Sequence, residues 1–248
     1  MKKLLLFTLV LFGILSTQSF AWNAGCGENV PISVCNPNWD GSSGGGGGSL
    51  PYGSVYLNPQ TRDYGAVWNY PSGESANADA ESRCGNACYG SWYSYDYAVI
   101  SVSDDDKVVG RGMGYTYSQA MKASLKECEK NGGINCAPAI AGRSNAEPIV
   151  FLWGGLAYNS NTGDIWKARN HKKRTIVETE LKKACGKDCL IFDFQENYGS
   201  LAVAPNGQAA LGVSDKNLKD SDKEAVKNCK KISKAKDCRV IANLENNL

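Results

Sequence analysis

Cys84, Cys88, Cys128 and Cys136 recur as Cys185, Cys189, Cys229 and Cys238, at offsets of 101, 101, 101 and 102 residues. Four matched offsets define an internal repeat, and a repeat limits the fold more sharply than any single motif. Each copy also halves, because 44 residues separate Cys84 from Cys128 and again Cys185 from Cys229.

Every quarter has one outline: a short apolar strand, a turn, a second strand, a helix ending in cysteine, and a cysteine opening a further strand. The four hairpins are legible. Tyr52 to Leu57 faces Ala66 to Trp68 across a longer turn. Ile100 to Val102 faces Val108-Val109 across Asp104-Asp105-Asp106. Leu156 to Tyr158 faces Ile165-Trp166 across Asn161-Thr162-Gly163, and Leu201 to Val203 faces Ala209 to Val213 across Asn206-Gly207. The Asn-Gly pair suits a type I′ turn, since both residues tolerate positive φ.

The helices show narrow stripes of small residues at i, i+4 and i+8. Ala76, Ala80 and Cys84 form the first, Ala120, Ser124 and Cys128 the second, and Ser221, Ala225 and Cys229 the fourth. Val177, Leu181 and Cys185 keep the same spacing with larger side chains. Such stripes suit helices pressed closely on a sheet. Thr116 and Gln119 are spaced as a capping box. The expected fold class is α+β: two tandem modules, residues 52–142 and 150–242, each of two β-hairpin–helix–strand half-repeats stapled by disulfides.

Ten cysteines in a chain of 248 residues point to an oxidising compartment. Four cysteines per module permit three pairings. The local one is expected: Cys84 with Cys88, Cys128 with Cys136, Cys185 with Cys189, and Cys229 with Cys238, with Cys26 and Cys35 closing an N-terminal loop. Redox chemistry commonly uses Cys-x-x-Cys, which is absent, and the unequal gaps argue against a four-cysteine zinc site.

The start of the chain agrees with export. Lys2 and Lys3 precede an apolar run from Leu4 to Leu15 and a Ser19-Phe20-Ala21 cleavage signal, so residues 1–21 read as a signal peptide. Lipidation at Cys26 is the competing reading. Asn23 and the distance from the apolar run weigh against it. No later stretch approaches the roughly 20 apolar residues of a membrane helix. Residues 22–51 comprise the cysteine-bracketed loop and a Gly/Ser tract, Gly41 to Ser49, reading as a flexible linker that spans about 15–20 Å. The tract lacks the Gly-Lys-Ser/Thr ending of a phosphate-binding loop.

Cleavage would remove two of the 27 basic residues and none of the 25 acidic ones, leaving no net charge and no nucleic-acid signature. The neutral total hides an asymmetry. Residues 22–149 hold 8 basic and 13 acidic side chains, and residues 150–248 hold 17 and 12.

Trp153-Gly154-Gly155-Leu156-Ala157, the helix ending in Cys185, Cys189, and Tyr198-Gly199-Ser200-Leu201-Ala202 together resemble the bacterial domain-of-unknown-function family 4189. Tyr52-Gly53-Ser54-Val55, Cys84, Cys88, Tyr97-Ala98-Val99-Ile100 and Cys128 repeat the pattern. The resemblance implies a small exported bacterial domain and supplies no reaction. Members often have a further cysteine where Tyr97 and Tyr198 stand, so the resemblance implies a lost disulfide here and leaves a different pairing of the remaining cysteines open.

Catalytic and metal constellations are sparse. His171 is the single histidine, it has no match in the other quarters, and it reads as a loop residue. No catalytic residue, cofactor or metal ligand is assigned. Asp104, Asp105 and Asp106 could approach calcium, yet the run lacks the spaced ligands of an EF-hand loop. Two surfaces could bind a partner. Lys167, Arg169, Lys172, Lys173 and Arg174 form a basic run with His171, suited to an anionic partner or to docking on the acidic first module. Ten of the twelve tyrosines fall in residues 52–117. Among them Tyr93, Tyr95 and Tyr97, beside Trp92, would share one face of a single strand.

The favoured reading is an exported, non-enzymatic binding protein engaging another exported or envelope protein, as an inhibitor or immunity protein does. A cell-wall or glycan-binding module is the alternative, and a glycan hydrolase ranks behind both.

Overall fold

The computed structural model describes residues 52–144 and 146–246. The expected signal peptide, Cys26, Cys35 and the Gly/Ser tract lie outside the described residues.

The first module runs β1 (Tyr52–Leu57), β2 (Tyr64–Tyr70), α1 (Gly73–Cys84), β3 (Tyr89–Tyr93), β4 (Tyr97–Val102), β5 (Val109–Gly114), α2 (Tyr117–Lys130), β6 (Ala137–Arg143) and β7 (Ala146–Val150). The second runs β8 (Trp153–Asn159), β9 (Ile165–His171), α3 (Arg174–Cys185), β10 (Cys189–Phe194), β11 (Tyr198–Val203), β12 (Ala209–Ser214), α4 (Leu218–Ser233) and β13 (Arg239–Glu245). Each quarter makes one antiparallel sheet in which the strand after the helix returns beside the first strand: β2-β1-β3, β5-β4-β6, β9-β8-β10 and β12-β11-β13. Strand β7 extends the second sheet beyond β6. The fold is therefore α+β, as the hairpin and helix patterns require.

Within a module the layers are helix, sheet, sheet, helix. Val55, Leu57, Tyr93, Ile100, Val102 and Ile140 fill the space between the first two sheets, and Leu156, Phe194, Leu201 and Leu244 do so in the second module. Each helix covers the outer face of its own sheet. The stripes expected from the sequence are the buried faces: Ala76, Ala80 and Cys84 on α1, Ala120, Ser124 and Cys128 on α2, Val177 and Leu181 on α3, Ser221, Ala225 and Cys229 on α4.

Glycines set how closely helix and strand approach. A Cβ on Gly65, Gly112 or Gly212 would overlap backbone atoms of α1, α2 or α4. In the third quarter the bulk is redistributed. Val177 and Leu181 replace Ala76 and Ala80, while Gly155 replaces Ser54 in the facing strand, and a Cβ there would lie 2.8 Å from Leu181 Cδ1.

Buried hydroxyl pairs are also redistributed. Ser101 and Ser124 meet at 2.7 Å in the first module, Ser200 and Ser221 at 2.7 Å in the second. The pairs lie one helical turn apart along the repeat, and each aligns with an apolar pair in the other copy. A hydroxyl pair satisfies its own donors and acceptors, so either layer can hold one.

The cysteines pair locally, with Cα separations of 6.3 Å for Cys84–Cys88, 6.2 Å for Cys128–Cys136, 6.0 Å for Cys185–Cys189 and 6.1 Å for Cys229–Cys238. Each joins a helix end to the strand that follows. Thr116 and Gln119 form the capping box.

Two local expectations are corrected. The Asn206-Gly207 turn is not type I′: only Gly207 has positive φ, and its N–H donates to the Ala204 carbonyl at 2.9 Å. Pro205, whose ring holds φ near −65°, occupies the first central position and Asn206 the second, so the left-handed residue falls one place later. Tyr93, Tyr95 and Tyr97 do not share a strand. The chain breaks at Ser94–Asp96, where it passes from the β3 sheet to the β4 sheet, and Tyr93 is only 1% exposed in the core between them.

Candidate functional site

The two modules meet along an ion-pair network. On the first module it is built from two hairpin turns. In one, Asn58 Oδ1 accepts from the N–H groups of Gln60 and Thr61, and Arg62 takes left-handed backbone at φ 63°. In the other, Ser103 Oγ accepts from the Val108 N–H, and Asp106 takes φ 59°. The turns face each other so that Arg62 Nη2 donates to Asp106 Oδ1 at 2.6 Å.

The second module reaches this edge with the end of β9 and the start of α3. Lys173 Nζ lies 2.7 Å from Asp106, Arg174 Nη1 lies 3.0 Å from Asp104, and Lys172 Nζ lies 3.5 Å from Asp63. Arg174 also pairs with Asp193 and Glu178 and lies over the Trp153 ring, 5.7 Å from its centroid. Burial pushes the Arg62 guanidinium below its usual value, against the pull of Asp106. A cleft lined by Arg62, Asp104, Asp106, Trp153, Lys173 and Arg174 marks the junction. Beside it, Gln195 Nε2 donates to the Pro138 carbonyl at 2.9 Å, and Ala137 packs into the apolar cluster of Trp153 and Val177.

A second seam is acidic. Burial pushes the Glu196 carboxyl up to about 7, helped by nearby Asp215, and pushes Asp215 up to about 6 although it accepts from the Asn197 N–H. Asp215 in turn acts with burial to raise the phenol of Tyr117, on the first module.

The basic run is thus divided. Lys172, Lys173 and Arg174 bind the first module, Lys167 Nζ donates to the Asn243 carbonyl at 2.7 Å, and Arg169 is exposed. His171 lies at the end of β9, 2.8 Å from Glu180 of α3. Of the acidic turn, Asp104 and Asp106 face cations and Asp105 accepts from Ser103 Oγ at 2.6 Å. No cluster of three His, Cys, Asp or Glu side chains arranged for a metal occurs among the described residues.

The aromatic surface lies on the first module. Tyr64, Tyr89, Trp92, Tyr95 and Tyr115 are exposed, with Trp92 at 43%. Two edge-to-face pairs organise it: Tyr52 with Trp92 at 5.6 Å and Tyr95 with Tyr115 at 5.0 Å. Trp92 rests on the first residue of α1, because a Cβ on Gly73 would come within 2.7 Å of Trp92 Cγ. Tyr97 instead packs on Tyr117, at 6.2 Å.

The repeat relates these two surfaces. Tyr52, Gly73 and Trp92 occupy the positions of Trp153, Arg174 and Asp193, each 101 residues earlier. The face by which the second module grips the first is therefore present on the first module too, rebuilt with Ser72, Gly73 and Trp92 in place of Lys173, Arg174 and Asp193 and with the Trp92 ring exposed. Position-by-position comparison of the copies is the signal that would have singled out Tyr52 and Gly73.

Fold and surface together define a disulfide-stapled, duplicated α+β scaffold in which one copy docks on the other. The chain belongs to the family described as a domain of unknown function (DUF4189), which matches it at residues 52–141 and again at 153–244. No curated protein and no solved structure matches the chain.

Proposed function

We propose that the protein is an exported, non-enzymatic binding protein whose first module engages another protein through the Tyr52–Trp92 face. One observation supports this above the others: the equivalent face of the second module already works as a protein interface, against the turns of the first. A rigid, cysteine-stapled scaffold with exposed Trp92 seated against half-buried Tyr52 fits the way aromatic anchors dominate binding energy at interfaces, and suits an inhibitor or immunity role. His171, Asp104 and Asp106, the groups best suited to chemistry by type, are engaged by Glu180, Arg174 and Arg62. Export is supported by the charged and apolar N-terminal sequence and by the four cystines; no helix among the described residues is long and apolar enough to cross a membrane.

The test is affinity capture by the oxidised chain from Trp22 onward, against envelope and secreted fractions and against purified cell-wall sacculi. A single protein retained in stoichiometric amount, lost with Trp92→Ala and kept with Tyr64→Ala, is the expected result. Retention on sacculi alone, abolished by Trp92→Ala, would replace the reading with glycan binding. Turnover of an envelope polymer, abolished by Glu196→Gln, would overturn the non-enzymatic assignment.

A further inference from the structure

We infer that the partner of the Tyr52–Trp92 face is the far end of a second copy of this chain, so that the protein associates head to tail. The inference rests on the binding role just assigned to that face and names its occupant.

The argument follows the repeat across the junction. Within one chain, the turns ending at Arg62 and Asp106 receive the face made by Trp153, Lys173, Arg174 and Asp193. Both partners there are charged. Shifting every residue by one module gives the complementary pair of surfaces left over. The turns become Asn161-Thr162-Gly163 and Pro205-Asn206-Gly207, and the face becomes Tyr52, Ser72, Gly73 and Trp92. The charges of Arg62, Asp104, Asp106, Lys173, Arg174 and Asp193 have no counterpart on these two surfaces, whereas Asp164 keeps the carboxylate of Asp63 and Pro71 stands for Lys172. A proline-bearing turn presented to exposed Trp92, with half-buried Tyr52 beside it, is a favourable apolar contact, and the ion pairs of Asp104 with Arg174 and Asp106 with Lys173 have each lost both members together.

The turns are preformed. Asn159 Oδ1 accepts from the N–H groups of Asn161 and Thr162, repeating the bonds made by Asn58 in the first module. Gly163 and Gly207 hold φ 82° and 80°, repeating Arg62 and Asp106. Thr162, Gly163, Pro205 and Asn206 are all exposed. Gly207 and Ser160 are close enough that a Cβ on the glycine would lie 3.6 Å from Ser160 Cβ, so the two turns again stand side by side.

A further pair of positions agrees. Ala137 and Thr175 both line the cleft at the junction, one from each module. Strand register equates Ala137 with Arg239, since they pair with Val102 and Val203 respectively. Thr175 aligns with Glu74. Arg239 and Glu74 are exposed and opposite in charge, so contact between copies would set them against each other. Such a contact is heterologous: it uses two different surfaces and leaves one of each unfilled at the ends of the assembly.

Sedimentation velocity of the full oxidised chain tests this directly. The expected result is a mass that grows with concentration past the dimer. Two variants then separate the surfaces. Trp92→Asp places on the head the residue that the second module has there, at a position exposed enough to keep the carboxylate solvated, and Gly207→Asp places on the tail the residue that the first module has at the same positive φ; thermal unfolding like that of the unaltered chain shows that each folds. Each alone should weaken association at least about tenfold. Their equimolar mixture should form a dimer and stop, because one intact head meets one intact tail. A chain that stays monomeric at every concentration overturns the inference, as does a Gly207→Asp variant that associates like the unaltered protein. If self-association fails while Trp92-dependent capture of a different protein succeeds, the occupant is wrong and the binding role stands; if neither depends on Trp92, both fall.

Discussion

Arg62 and Asp106 form a 2.6 Å ion pair although each sits in left-handed backbone at a turn position that its counterpart, Gly163 or Gly207, fills with glycine. A side chain in that conformation costs about 1 kcal/mol, so the first module accepts strain at both turns to place these two charges. Strain that persists where a duplicate avoids it marks a position with a task. The task is to receive Lys173, whose Nζ lies 2.7 Å from the Asp106 carboxylate that Arg62 holds in place.

The pair makes a thermodynamic cycle informative. Asp106→Gly relieves one strained residue yet leaves Arg62 and Lys173 facing no carboxylate, with side chains 10% and 20% exposed. It should destabilise the protein by about 2 kcal/mol. Adding Arg62→Gly removes the stranded guanidinium and the second strained residue, so the double variant should be more stable than Asp106→Gly alone. Urea unfolding of the single and double variants reads the sign of that coupling.

Arg174 joins the two modules and also compensates a carboxylate inside its own. Removing it with Arg174→Ala leaves Asp193, 6% exposed, without its cation, and should cost about 3 kcal/mol. The pair Arg174→Gly and Asp193→Trp instead copies the arrangement of the first module. It should restore much of that stability while loosening the junction, seen as faster amide exchange in the Ser103–Lys107 turn. Exchange unchanged from the original protein would mean that the ion pairs do not hold the modules together.

The acidic seam predicts a pH dependence. Glu196 and Asp215 titrate near 7 and near 6 in the folded protein, above the ordinary carboxylate range, because burial disfavours their charged forms. As pH rises from about 4 to about 7, the unfolded chain releases protons that the folded protein retains. Stability should therefore fall across that window and level off above it, by an amount on the order of 2 kcal/mol between about pH 5 and pH 8. Glu196→Gln should flatten the decline. Thermal unfolding followed at several pH values checks both.

Glycine contacts give the sharpest stability contrast. A Cβ on Gly112 would overlap the Ala120 carbonyl oxygen, whereas a Cβ on Gly132 meets nothing within 4 Å. Gly112→Ala should cost about 3 kcal/mol through overpacking. Gly132→Ala, strained only by its φ of 88°, should cost about 1 kcal/mol.

Much of this architecture was legible because it depends on short-range regularities. Two-residue and four-residue periods located the hairpins and the buried helix faces, and cysteine spacing anticipated the local pairings. The misreading of Tyr93 arose where period two continued across a boundary: Tyr93, Tyr95 and Tyr97 alternate as one strand would, yet the chain changes sheets between them. The partners of Lys173 and Arg174 were suspected from the opposite charge balances of the two halves. Their places on Asp106 and Asp104 depend on how the modules meet, which no local pattern encodes. The importance of Tyr52 and Gly73 emerges only when the copies are superposed, since neither is unusual alone.

The close contact of helices with strands through Gly65, Gly112 and Gly212 has an evolutionary consequence. A frame held by backbone proximity, hydroxyl pairs and cystines demands little of the residues pointing outward. After duplication, one copy could turn an address held by glycine and tryptophan into one held by arginine and aspartate without altering the frame beneath. The scaffold separates inherited architecture from adjustable surface: between the two copies the outward residues at three matched positions differ completely, while the cysteine spacing beneath them is kept.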